Sequence, residues 1–284
     1  STSIEGARRL AVTKQHLTGT LPARATGEAI LSVIRNLCYV QLDPVNIVAP
    51  SHVIALWSRV GRFRPSDLDR LLWREKTLFE HWAHAASIVP TEDYPLHYSL
   101  MRRYPESLSK SWGTWKLRAR KFLAAHTELR KTVLRELKRG PLRLSDFEDH
   151  VRTRTQADGW TSGSDVSAML FHLHMRGEVM VVGHQGNRKV WGLPDAFLPS
   201  WVDRRELPEE DVEREGAQRA IRALGTASPS EINVYFPRGR YQNLKKALER
   251  LQEESTIHRV QVAGAAGRGA RYVHDRDVGL LESV

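Results

Sequence analysis

Within CYVQLDPVNIVAPSHVIALWSRV, residues 38–60, Gln41 and Asp43 interrupt a run of largely apolar side chains. An unpaired carboxylate buried there would cost several kcal/mol or take up a proton, so Asp43 must be paired, exposed or used. The pattern changes from a helical period over 28–37, with Ile30, Val33, Ile34 and Leu37 on one face, to alternation. Val40 and Leu42 then fall on one side and Gln41 and Asp43 on the other. Pro44 biases the residue before it out of the helical region, which supports an extended chain at Asp43. Two positions apart on such a segment, a carboxylate and an amide stand side by side, at about the separation that one water bridges. The carboxylate can accept a proton from that water while the amide orients it, which is the equipment of general-base hydrolysis. A second reading stays open. Asp43 before Pro44 can initiate a turn by bonding a following backbone N–H, Gln41 can be an exposed strand residue, and Asn46 can be a turn former.

Other candidate chemistry is sparse. Cys38 is the only cysteine, which excludes an internal disulfide framework and any cysteine-based zinc finger, and it reads as a small buried hydrophobe. His52, His81 and His84 lie in the same region, but the His81–His84 spacing does not match a metal-binding helix pair. No metal or organic cofactor is expected. The AGAAGRG stretch lacks the Gly-Lys-Ser/Thr ending of a phosphate-binding loop and joins two strands. Tyr39, Trp57 and Trp82 are able to stack on a nucleobase but read as core.

The 284-residue chain carries 43 Lys and Arg against 33 Asp and Glu, a net charge of +10 that suits a polyanionic partner such as nucleic acid. No apolar run approaches the roughly 18–20 residues of a membrane span, and no charged-then-apolar leader opens the sequence. The expectation is a cytoplasmic protein, nucleoid-associated when bound to DNA, without a membrane and without an obligate protein partner.

The elements that must position Gln41 and Asp43 repeat along the chain. Residues 163–177 form a helix with Val166, Met169, Leu170 and Leu173 at helical spacing, and EVMVVGHQGNRKVWGL then folds as a hairpin with Arg188 and Lys189 beside its turn. The last quarter repeats this with a helix over 243–254 and two strands flanking the Gly-Ala loop, with Arg268 and Arg271. Helices over 211–224 and 228–235 complete that unit, the second capped by SPSE. The first third follows more loosely, with helices at 4–16, 28–37, 51–60 and 66–74 before strand-like TLFEHWAHAASIVP. The prediction is an α+β, mainly α fold of three tandem winged helix-turn-helix units: 1–92 with the Gln-Leu-Asp triplet, 141–203 and 204–284. A helical connector over 93–140 includes a basic helix at 115–126.

QLDPVNIVAPSHVIALWSRVG, then EHWAHAASIVP, GPLRLSDFE, RGEVMVV and KVWGLPD, in that order, resemble the crosslink-repair DNA glycosylases of the YcaQ and AlkZ type. The most specific element is Gln-apolar-Asp followed by Asn-Ile-Val. The resemblance implies a C-shaped array of winged helices that hydrolyses the N-glycosidic bond of N7-alkylated purines in double-stranded DNA, interstrand crosslinks included. It also places Gln41 and Asp43 at the family's catalytic positions, in the aspartate version closer to YcaQ. No lysine belongs to this constellation, so a Schiff-base lyase step is not indicated. An open basic channel is expected, lined by Asn46, Arg59, His84, Arg188, Lys189, Arg268 and Arg271, with contacts mostly to phosphate. Family members continue past the third unit into a β-rich domain, whereas this sequence stops at Val284, so a non-catalytic DNA-binding regulator or damage sensor is the alternative. A protein-interaction scaffold fits the charge poorly.

Overall fold

The chain opens with β1 (Thr2–Ser3) and α1 (Ile4–Lys14). The Gln-Leu-Asp triplet follows α2 (Gly27–Leu37), which begins where the Thr26 side chain accepts from the Ala29 N–H and ends at Cys38 in a left-handed conformation, φ 68°. That residue turns the backbone into β2 (Val40–Gln41). Next come α3 (Ser51–Val60) and α4 (Pro65–Asp69), which continues as a π turn over Arg70–Arg74, then β3 (Leu78–Trp82) and β4 (Ala86–Pro90). The three strands form an antiparallel sheet in the order β2-β4-β3. The computed structural model describes residues 1–43, 48–83, 85–108, 112–147, 163–263 and 269–283.

The same order of elements recurs twice. After α5 (Tyr94–Arg102) and α6 (Gly113–Ala125), the second set comprises α7 (Thr127–Leu137), β5 (Leu142–Arg143), a helical stretch from 144, α8 (Gly163–Met175), β6 (Met180–Gln185) and β7 (Arg188–Gly192). Its sheet runs β5-β7-β6. The short α9 (Pro194–Phe197) leads to the third set: α10 (Glu209–Leu224), β8 (Thr226–Ala227), α11 (Pro229–Tyr235), α12 (Leu244–Glu253), β9 (Ile257–Val260), β10 (Val262–Ala263), β11 (Arg271–His274) and α13 (Val278–Ser283). Its sheet runs β8-β11-β9. The cap expected at SPSE is present, with the Ser228 N–H donating to Glu231 Oε2 at 2.7 Å and the Glu231 N–H to Ser228 Oγ at 3.3 Å.

Each set has its own apolar core: Ile30, Ile34, Leu56, Leu78 and Ile88 in the first, Val133, Phe147, Met169 and Leu173 in the second, and Ile221, Ile232, Leu248 and Leu251 in the third. A further cluster fuses the sets. Phe79, Val89, Tyr94, Met180, Phe197, Val212 and Phe236 are buried together, so the β3–β4 hairpin shares a core with residues of the second and third sets.

One placement differs from the sequence reading. The sequence groups the helix at 4–16 with the first unit, but α1 packs on the third. Leu10 is fully buried with Val260, Val273 and Leu281, Lys14 Nζ lies 2.8 Å from Asp277 Oδ1, and β1 pairs in parallel with β10. Gly225 makes this approach possible: it has φ 78°, and a Cβ there would meet Leu10 Cγ at 2.9 Å.

Two polar groupings are buried at the junction. The imidazoles of His81, His97 and His174 meet at centroid distances of 5.1 Å and 5.4 Å, His81 being the common member. The Asp93 carboxylate, fully buried, pairs with Arg219 of α10 and ties the connector to the third set.

Candidate active site and nucleic-acid interface

The alternation inferred from sequence is found in the sheet. Val40 is opposite Ile88 and Gln41 opposite Ser87, and the Leu42 N–H donates to the Ala86 carbonyl at 2.7 Å, which prolongs the extended chain toward Asp43. Val40 is buried and Leu42 packs on the first core, while Gln41 is exposed and Asp43 half-buried. Gln41 therefore stands on the face turned away from the helical core, and Asp43 follows two residues on, beyond the end of β2. Tyr39, on that same face, packs against Tyr235 and Phe236 at 5.4 Å and 6.3 Å between ring centroids. Its role is thus to hold the strand to the third set. Cys38 beside it is no nucleophile at neutral pH, because burial pushes its thiol up to about 12.

The residues expected to meet DNA divide into three groups. Arg188 is exposed in the β6–β7 hairpin and forms no ion pair among the described residues. With Arg143, Ser145, Ser167, Asn187 and Lys189 it lines a groove of about 580 Å³. Three other residues are engaged within the protein. Lys189 Nζ lies 3.6 Å from Glu80 Oε2. Arg271 is held by Glu231 at 2.8 Å and donates to the Thr226 carbonyl at 2.9 Å. Arg59, half-buried, donates to the Ala55 carbonyl at 2.8 Å and to Gln15 at 3.4 Å, and burial lowers its pKa. These three are thus each held by contacts within the protein. Asn46, His84 and Arg268 lie outside the described residues.

Glu80 was missed by the sequence reading, although it lies within EHWAHAASIVP. It is buried on β3 and accepts from His184 Nε2 at 2.7 Å, so the hairpins of the first and second sets are joined by a carboxylate. Burial by itself raises its pKa, but the His184 hydrogen bond and the Lys189 charge outweigh this, leaving it below the usual carboxylate value. Its contribution to stability is therefore present above about pH 4.5 and is lost as the pH falls through the depressed value. The only sequence signal was an acidic residue at an inward position of a strand. Glu80→Ala is expected to lower unfolding free energy at pH 7 by about 2 kcal/mol, since it removes a charge-assisted bond whose partners remain partly solvated. Urea denaturation measures this, and an unchanged midpoint would show that the bridge is not stabilising.

Among the described residues, no group of three or more His, Cys, Asp or Glu is arranged to hold a metal ion, and no helix is long and apolar enough to cross a membrane.

Comparison with known proteins fits this arrangement. The structure aligns with Streptomyces sahachiroi DNA glycosylase AlkZ at a TM-score of 0.70 and 17% sequence identity, over 100% of this chain and 73% of that one, which establishes a shared fold. The AlkZ-like DNA glycosylase family matches residues 34–281, from the end of α2 through the triplet and all three sets of elements. By that match the chain belongs to the AlkZ-like DNA glycosylase family.

Proposed function

We propose that this protein hydrolyses the N-glycosidic bond of N7-alkylated purines in double-stranded DNA, and that interstrand crosslinks are among its substrates. The observation that carries the reading is the exposed Gln41 of β2 with the half-buried Asp43 two residues on, in a chain of this family. In this mechanism Asp43 is the general base and Gln41 orients the water. An N7-alkylguanine is cationic, so it departs with the electron pair of the C1′–N9 bond and becomes neutral without being protonated. Water attacks C1′, its proton passes to Asp43, and the developing positive charge on the sugar is stabilised by the same carboxylate. No cofactor enters the scheme.

We read the three sets of elements as tandem winged helix-turn-helix units in a C-shaped array, over 1–92, 141–203 and 204–284 with a connector at 93–140, and α1 docked on the third unit. Duplex DNA lies across the exposed edge of β2 at Gln41, with Arg188 on a phosphate. Replacing Arg188 with alanine is expected to weaken binding uniformly across sequences and to lower the salt slope by about one counterion. A cytoplasmic location and action without an obligate protein partner accompany this reading.

The test is to incubate the protein with duplex DNA carrying N7-methylguanine and identify the products. Free N7-methylguanine together with alkali-labile abasic sites supports hydrolysis. Tight, salt-dependent binding without base release would instead make the chain a non-catalytic DNA-binding protein.

A further inference from the structure

A second site lies at the end of β3, in the same sheet as β2. Trp82 at the end of β3 is paired with Ala86, whose carbonyl accepts from Leu42, so Trp82 is in register with Leu42, two strand spacings or about 10 Å away, on the sheet face opposite that of Gln41. There it forms a wall of a cavity of about 300 Å³, within the range of small-ligand pockets. The indoles of Trp82 and Trp115 both stand nearly perpendicular to the Phe171 ring, at 86° and 87° with centroids 5.4 Å and 5.9 Å away. Trp112, 39% exposed, completes the rim. Such a box offers flat apolar faces to a planar guest.

Its polar end is more telling. Arg240 lines the cavity and is only 6% exposed, and its guanidinium forms no ion pair among the described residues. Burial lowers its pKa to about 10, so it remains charged at neutral pH. A buried cation without a carboxylate is costly unless a ligand supplies acceptors, and the planar guanidinium fork matches the acceptor edge of a base. Arg238, exposed at the same cavity, adds positive charge where a sugar-phosphate chain would leave it.

We propose that this aromatic box receives a nucleobase unstacked from a bound duplex, held between indole faces with its acceptor edge toward Arg240. The inference rests on the DNA-binding reading above and adds to it a place for a base outside the stack. Aromatic stacking is sequence-tolerant, so the box would select for ease of unstacking, which a damaged or mismatched pair provides.

The test uses a duplex carrying 5-iodo-2′-deoxyuridine opposite a tetrahydrofuran abasic analogue, irradiated with the protein at long wavelength, with bound DNA measured in parallel by anisotropy. Crosslinks are expected at Trp82, Trp112, Trp115 or Phe171, with a yield per bound duplex that falls about tenfold in Trp115→Ala and when the iodouridine is fully paired. Arg240→Gln is expected to lower the yield several-fold while leaving the thermal midpoint unchanged or higher. A guanidinium serving only the fold would give a lower midpoint with the yield intact. Duplex that binds but crosslinks elsewhere, or a yield indifferent to Trp115→Ala, overturns the inference alone. A failure to bind duplex overturns the DNA reading and this inference with it.

Discussion

Asp43→Asn is expected to slow release of N7-methylguanine by about 10² to 10⁴-fold, the usual contribution of a positioned general base. Asparagine keeps the size and hydrogen-bonding reach of the side chain, so duplex binding should be unchanged, or tighter through loss of a negative charge near phosphate. Gln41→Ala removes the orienting amide and should cost less. The double variant should be little slower than Asp43→Asn alone, because an oriented water without a base gains little and the two side chains act on one molecule. The effects on turnover should appear in the chemical step. A mainly structural role predicts a different pattern, since Gln41 is exposed and Asp43 lies at a strand end, where loss of either side chain would alter folding stability and leave turnover of the folded fraction intact.

Acidification should destabilise the fold well above the range in which carboxylates titrate. His81, His97 and His174 are buried at the junction of β3, α5 and α8, and burial drives their pKa values down, to about 3 for His97 and about 4 for His174. Arg240 adds to the depression at His81 and His97, Lys189 does so at His174, and Glu80 opposes it at His174. The folded chain keeps these rings neutral, whereas the unfolded chain protonates them below about pH 6.5. Their stability contribution is thus complete above that value and falls as the pH drops, by about 1.4 kcal/mol per pH unit for each ring. Asp93 works against them. Burial raises its pKa to about 6 despite Arg219, so between about 6 and 3.8 the folded state holds one extra proton. The net expectation is a clear loss of stability between pH 6.5 and 5 in urea titrations, with His97→Phe flattening the slope by about one proton. Equal stability at pH 7 and pH 5 would contradict it.

The local features of the site were legible because they obey short-range rules. The change from helical period to alternation after Leu37, together with Pro44, placed Gln41 and Asp43 on one face, and the sheet register bears out the alternation over Val40–Leu42. The Ser228 cap and the β6–β7 hairpin followed from spacing and turn residues in the same way. What escaped depends on contacts between distant segments. An amphipathic α1 specifies that one face is buried but not which unit buries it, and the answer lies in Val260, Val273 and Leu281. Lys189 and Arg271 read as hairpin cations, yet Glu80 and Glu231 reach them through the tertiary fold. Trp82 reads as core from its strand position. Only the packing of α6 and α8 beside it leaves one of its sides facing a cavity.

Single-turnover release of N7-methylguanine from a methylated duplex, compared between the wild-type protein and Asp43→Asn at saturating enzyme, bears most directly on the catalytic pair. The expected result is release by the wild type that drops at least about 100-fold in the variant while both bind the duplex equally well. Equal release rates with equal binding would contradict the assignment of Asp43 as the base.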